Sequence, residues 1–177
     1  MFFRRHVEKE LGRQIVNCRP AVWRFALSLS GRPDIADDLA QATYLRALER
    51  VHQWRQDGRL EAWLLTICRS IWLNELRAQS IRQAGCLAAA EAGRFAMGMA
   101  DTETNIFASE VYAKVMELPE AQRATVELVY VEQFTYREAA SILDVPIGTI
   151  MSRLATARAA LRHLNDAEWP KAKGKRT

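Results

Sequence analysis

Apolar residues recur three and four positions apart along most of this chain, the spacing that puts them on one face of an α-helix. The first such stretch runs from about Glu8 to Leu29 and stops at Ser30-Gly31-Arg32-Pro33, where glycine and proline together end a helix. Asp34 then caps a second helix whose apolar stripe is Ala36, Ala40, Tyr44, Ala47, Leu48 and Val51. Asp34, Asp38, Gln41 and Glu49 lie on another face, with Asp37 and Arg46 at its margins. Taken alone, that polar face reads as a solvated one. His52 to Arg59, with Asp57-Gly58 inside it, reads as a loop into a long helix from about Leu60 to Arg82. That helix carries Trp63, Leu64, Ile67, Ile71 and Leu76 as packing positions and Arg69, Trp72, Asn74 and Arg77 as more exposed ones.

Residues 83–105 break the pattern. An alanine-rich run with Gly85, Gly93 and Gly98 leads into the polar Asp101-Thr102-Glu103-Thr104-Asn105, with no durable apolar stripe. Helices resume from Ile106 to Met116, pause at Glu117-Leu118-Pro119-Glu120, and continue from Ala121 to Val131. The pattern predicts an all-α protein: two small helical domains at 8–82 and 106–164, a flexible linker at 83–105 and a basic tail at 165–177.

The clearest local signal lies between Phe134 and Leu154. Ala139, Ala140 and Leu143 give a short helix an apolar face with small residues that admit a close neighbour. Asp144 to Ile147 forms a break in which Pro146, with no amide hydrogen, suits a turn or a helix start, and Thr149 is placed to cap or begin the next helix. That helix runs to about Leu164 with Ile150, Leu154, Ala157 and Leu161 inward and Thr149, Ser152, Arg153 and Thr156 outward. The pattern is that of a helix-turn-helix, whose second helix enters the major groove of DNA, although any amphipathic helical hairpin shares the two stripes.

With 177 residues, 49% hydrophobic residues, only 8 Gly and 5 Pro, the chain has enough material for one medium core or two small ones. No apolar run approaches the ~20 residues of a membrane span, and Met1 to His6 meets charge too early for a signal peptide, so a cytoplasmic protein is expected. Cys18, Cys68 and Cys86 lack CxxC spacing, and His6, His52 and His163 are scattered, which argues for reduced thiols and no metal site. Residues 106–163 hold six basic and seven acidic side chains. DNA contact there must use a local cluster such as Arg153, Arg158 and Arg162.

Three segments, in order, resemble the extracytoplasmic-function type of bacterial sigma factor. They are Asp37-Asp38-Leu39-Ala40-Gln41-Ala42-Thr43-Tyr44-Leu45-Arg46-Ala47, then Ala62-Trp63-Leu64-Leu65-Thr66-Ile67-Cys68-Arg69-Ser70, and Leu118-Pro119-Glu120-Ala121-Gln122-Arg123 followed by the helix-turn-helix. The resemblance covers about residues 10–164 and implies sigma domain two at 8–82 and sigma domain four at 106–164. It implies that Asp37, Asp38, Gln41 and Arg46 grip the largest subunit of core RNA polymerase, which replaces the solvated reading of that face. It places Trp54, Arg55, Arg59, Arg69, Asn74 and Arg77 at the −10 element, where a flipped base needs a pocket and the separated strand needs cations. Thr149, Ser152, Arg153, Thr156 and Arg158 fall at the −35 positions, with Arg158 either on phosphate or paired with a neighbouring acid.

Four positions depart from the family's habit: Met151 replaces a usual Lys or Arg, Thr156 a basic or aromatic residue, Ala42 a Glu and Ser70 an Asn. These leave the fold intact and put the −35 sequence and its strength in question. No GxxxxGK, HExxH or GxSxG motif is present, so no enzymatic activity, cofactor or small-molecule substrate is expected. The expected partners are core RNA polymerase, promoter DNA and an anti-sigma factor, serving a stress or extracytoplasmic-signal regulon. The rival is a dimeric helix-turn-helix regulator that binds duplex DNA without polymerase.

Overall fold

The computed structural model describes residues 12–54, 58–84 and 111–161, and among them every regular element is helical. Arg55, the expected start at 8–11, most of the linker and the tail at 165–177 lie outside the described residues, as do Cys86, Arg162 and the last turn expected up to Leu164. The chain divides into two units, Met1–Ala90 and Glu91–Thr177.

The first unit opens with α1 (12–17) and α2 (Arg19–Ser30) where one continuous helix was expected. The break falls at Cys18, because Pro20 has no N–H to bond the preceding turn and its ring crowds the carbonyl there. Gly31 ends α2 in the left-handed conformation (φ 69°), its N–H donating to the Leu27 carbonyl oxygen at 2.8 Å. Helix α3 (Pro33–Glu49) begins with proline in its first turn, and a 3₁₀ turn, Val51–Gln53, follows it. Helix α4 (Leu60–Ala84) is the long one, as expected.

Helices α2, α3 and α4 pack on one another around Val22, Phe25, Leu39, Leu64, Leu65 and Cys68. The inward stripe of α3 is Ala36, Leu39, Ala40, Thr43 and Ala47. Leu48, expected inward, is exposed, while Thr43 is tolerated in the core because its hydroxyl donates to the Leu39 carbonyl at 2.7 Å. The tryptophans of α4 also differ from expectation. Trp72 was expected outside and is buried, one turn beyond Cys68, whereas Trp63 is half-buried.

In the second unit, α5 (111–116) leads through Leu118 and Pro119 into α6 (Glu120–Val126), which passes into a π-helical turn, Glu127–Val131. Buried Arg123 holds this restart together. Its guanidinium donates at 3.1 Å to both the Met116 and Leu118 carbonyls, satisfying the open end of α5, and burial pulls its pKa below the usual arginine value. Helices α7 (Tyr136–Ile142) and α8 (Ile147–Ala160) complete the unit. Leu128, Ile142, Ile150 and Leu154 are fully buried at its centre.

No helix among the described residues is long and apolar enough to cross a membrane. Cys18 and Cys68 are both buried.

Candidate functional site

On α3 the buried stripe forces the opposite face outward. Asp34, Asp38, Gln41, Leu45 and Leu48 are all exposed there. Leu45 is 64% exposed and Leu48 47%, which puts two large apolar side chains beside Asp38 and Gln41 on that face. The spacing 38, 41, 45, 48 runs three, four, three, so this stripe was present in the sequence, hidden because Leu48 had been assigned to the core. The four residues that the sequence singled out do not behave alike. Asp38 and Gln41 are exposed; Asp37 accepts the indole N–H of Trp23 at 2.7 Å; Arg46 is half-buried, 3.9 Å from Glu49. Asp34 forms a 2.6 Å ion pair with Arg32, which holds its carboxyl below the usual carboxylate range.

The second surface lies at the end of the 3₁₀ turn and along α4. Trp54 follows Gln53 and its ring sits 5.5 Å from that of Trp63, tilted by 41°. Both rings are half-buried, so part of each stays open to solvent. Arg59 pairs with Glu61 at 2.6 Å just before and inside the start of α4. From Trp63 an outward stripe continues through Thr66, Ser70, Asn74 and Arg77, the last four all exposed. The Arg77 guanidinium donates to Asn74 Oδ1 at 3.1 Å, so amide and cation are presented together. Arg69, half-buried, lies off this stripe. Sequence reasoning placed Trp54 and Asn74 on this surface but missed that Trp63 joins them.

The third surface is α8, and its orientation is set by the elements before it. Thr135 and Glu138 form a capping box at α7: the Thr135 hydroxyl oxygen accepts from the Glu138 N–H at 3.2 Å, and Glu138 Oε2 accepts from the Thr135 N–H at 2.8 Å. A Thr and a Glu three apart were legible as this signal and were missed. The turn uses Asp144 at φ 46°, a left-handed conformation that aspartate tolerates better than most residues. Helix α8 starts at Ile147 after Pro146. Thr149 therefore lies in the first turn and does not cap the helix, contrary to one expectation.

With Ile150, Leu154 and Ala157 buried, Gly148, Ser152, Ala155 and Thr156 face outward. Thr149 and Arg153 are half-buried on one flank. Ile147, Met151 and Arg158 are exposed on the other, one or two turns apart. The hydroxyls of Ser152 and Thr156 donate to the Thr149 and Ser152 carbonyls and keep oxygen lone pairs outward, while Arg158 Nε bonds the Leu154 carbonyl at 3.2 Å. No Asp or Glu occurs in 147–160, so this helix presents cations, hydroxyls and apolar groups alone. Among the described residues no cluster of His, Cys, Asp and Glu has the makings of a metal site.

Residues 15–81 match the family Sigma-70 region 2, and residues 108–161 match the family Sigma-70, region 4. The chain is 34% identical over 145 residues to the ECF RNA polymerase sigma factor EcfG of Rhodopseudomonas palustris, covering 82% of this chain and 79% of that protein. It is 34% identical over 152 residues to the ECF RNA polymerase sigma factor SigC of Mycobacterium tuberculosis, covering 83% and 77%. Among solved structures, the sigma factor RpoE of Bartonella quintana, in complex with the anti-sigma factor NepR, aligns with a TM-score of 0.72 and 26% identity, covering 91% of this chain and 99% of that one.

Proposed function

Because the chain belongs to the extracytoplasmic-function group of the sigma-70 family of RNA polymerase sigma factors, we propose that its three outward faces divide the work of promoter-directed initiation. The outer face of α3 binds core polymerase. Asp38 and Gln41 supply polar contacts, and Leu45 and Leu48 supply the apolar area that anchors a helical partner. Asp37 acts through Trp23, fixing α3 against α2, and is a positioning residue.

The rim formed by Trp54, Trp63, Asn74 and Arg77 receives the −10 element. The Trp54 and Trp63 rings stack one extruded base, while Asn74 and Arg77, about three turns farther along α4, meet a second base edge and the adjacent phosphate. Arg59, exposed just before the start of α4, adds positive charge for this strand, whereas Arg69 lies off the stripe. Helix α8 lies in the major groove at the −35 element, with Thr149, Ser152, Arg153 and Thr156 toward base edges and Arg158 on phosphate. None of this breaks or makes a bond in the protein; its energy comes from differential binding of open promoter DNA.

We further propose that an anti-sigma factor holds the protein inactive in the cytoplasm until a stress or extracytoplasmic signal releases it. The likeness to a sigma factor whose structure contains its anti-sigma partner supports this. The single observation that carries the reading is the outward stripe Asp38, Gln41, Leu45 and Leu48 on a helix whose other side is fully buried.

The test is copurification of core polymerase with the tagged full-length chain. Wild type retains core enzyme, and Leu45→Asp loses it while keeping its helical content. Equal retention by both proteins removes α3 from the mechanism.

A further inference from the structure

Ile147 and Met151 are the only side chains of α8 larger than alanine that are both apolar and exposed, at 43% and 42%. They stand one helical turn apart in the first two turns, the part of a recognition helix that reaches base edges. At Gly148, between them, a Cβ would meet nothing within 4 Å, so a surface has open access to this flank. Arg158 continues the same flank two turns after Met151, and the helix carries no acid. Unlike Leu45 and Leu48, which share their face with Asp38, these two apolar side chains are bordered by hydroxyls, alanines and a cation, with no acid on the helix. They suit a polyanionic surface that offers small apolar groups at separate points.

The major groove has one apolar group of that size, the C5-methyl of thymine, set among polar donors and acceptors. We infer that Ile147 and Met151 contact thymine methyls in the −35 element, so that this chain selects thymine at one or two positions by apolar contact. A Lys or Arg, which the resembling family usually carries at position 151, would favour guanine or phosphate instead. The inference rests on α8 being the −35 reader and adds the chemical identity of what this flank reads.

The probe is deoxyuridine, which differs from thymidine only by the missing methyl. Holoenzyme reconstituted from core polymerase and the full chain first selects binding duplexes from a library randomised over the −35 region. Each thymine in the selected element is then replaced singly by deoxyuridine. Wild type is expected to bind about fourfold more weakly at one or two of these positions, the equivalent of one methyl group returned to water. Met151→Ala or Ile147→Ala is expected to bind the thymidine and deoxyuridine duplexes equally there, and Met151→Leu to keep the discrimination. Equal wild-type binding at every substituted position, or a selected element without thymine, overturns the inference while leaving α8 as the −35 reader. Selection of no preferred −35 sequence at all overturns both.

Discussion

The Trp23 indole N–H donates to Asp37 Oδ1 across 2.7 Å, so of two adjacent aspartates on α3 one is engaged by α2 and the next, Asp38, faces outward. Adjacent residues in a helix differ by about 100° in direction, enough to give neighbouring acids separate tasks. Asp37→Ala is expected to lower stability by about 1 kcal/mol through the lost hydrogen bond. Asp38→Arg should leave the melting temperature nearly unchanged and weaken core polymerase binding by more than about tenfold, or ~1.4 kcal/mol. Thermal melts and a core-enzyme titration on both variants check this. Matching stability losses would contradict the division.

Asn74 is held ready by Arg77 on an exposed stripe and contributes nothing visible to the core. Asn74→Ala should bind a single-stranded −10 oligonucleotide poorly, with −35 duplex binding and thermal stability unchanged within about 0.5 kcal/mol. Fluorescence anisotropy with the two oligonucleotides separates the cases. Uniform loss of both activities together with stability would make Asn74 structural.

The capping box fixes where α7 starts, one short helix before the turn into α8. Thr135→Ala removes the side-chain acceptor of the Glu138 N–H and should cost about 1 kcal/mol of stability, most of it regained in Thr135→Ser. Circular-dichroism unfolding of the three proteins provides the comparison. An unchanged unfolding midpoint for Thr135→Ala would show that packing of α7 alone fixes the turn.

Burial pushes the Cys68 thiol up to about 12 from an ordinary value near 9, and Tyr44, also through burial, up to about 12 from 10. Both groups hold their protons more tightly when folded than when unfolded. The corresponding stability is fully present below about pH 9 and is lost as pH rises through the interval to about 12. Four of the five tryptophans, Trp23, Trp54, Trp63 and Trp72, lie in the first unit, so indole fluorescence follows its melting. Between pH 8.5 and about 10.5 the wild-type melting temperature should fall more steeply than that of Cys68→Ala. Parallel slopes would mean that other groups control the alkaline limit.

Much of the all-α architecture was legible because apolar spacing, glycine and proline mark helices and their ends directly. Gly31, Pro33, Pro119 and Pro146 all punctuate where the chain predicts. The errors have physical causes. Pro20 was passed over inside an apolar run, which hid the break at Cys18. On α3 a stripe drawn through Tyr44 and Leu48 was rotated from the buried one, because Thr43 counted as polar although its hydroxyl bonds back to its own helix. Trp63 and Trp72 are nine residues apart on one helix and therefore point to opposite sides, so Trp72 takes the core position while Trp63 packs half-buried on Trp54. For the candidate surfaces, the family resemblance singled out Asp38, Gln41, Asn74 and Ser152, and all four are exposed. Partnerships between elements, such as Trp23 with Asp37 and Trp54 with Trp63, require tertiary structure.

The most direct test of promoter-directed initiation is run-off transcription with purified core polymerase, the full chain and a linear promoter template recovered from the −35 selection. The expected result is a transcript of defined start that needs both the chain and core enzyme, and that disappears when either the −10 or the −35 element is scrambled. Tight duplex binding by the chain alone, with no start-specific transcript when core polymerase is added, would contradict the account and favour a dimeric duplex-binding regulator.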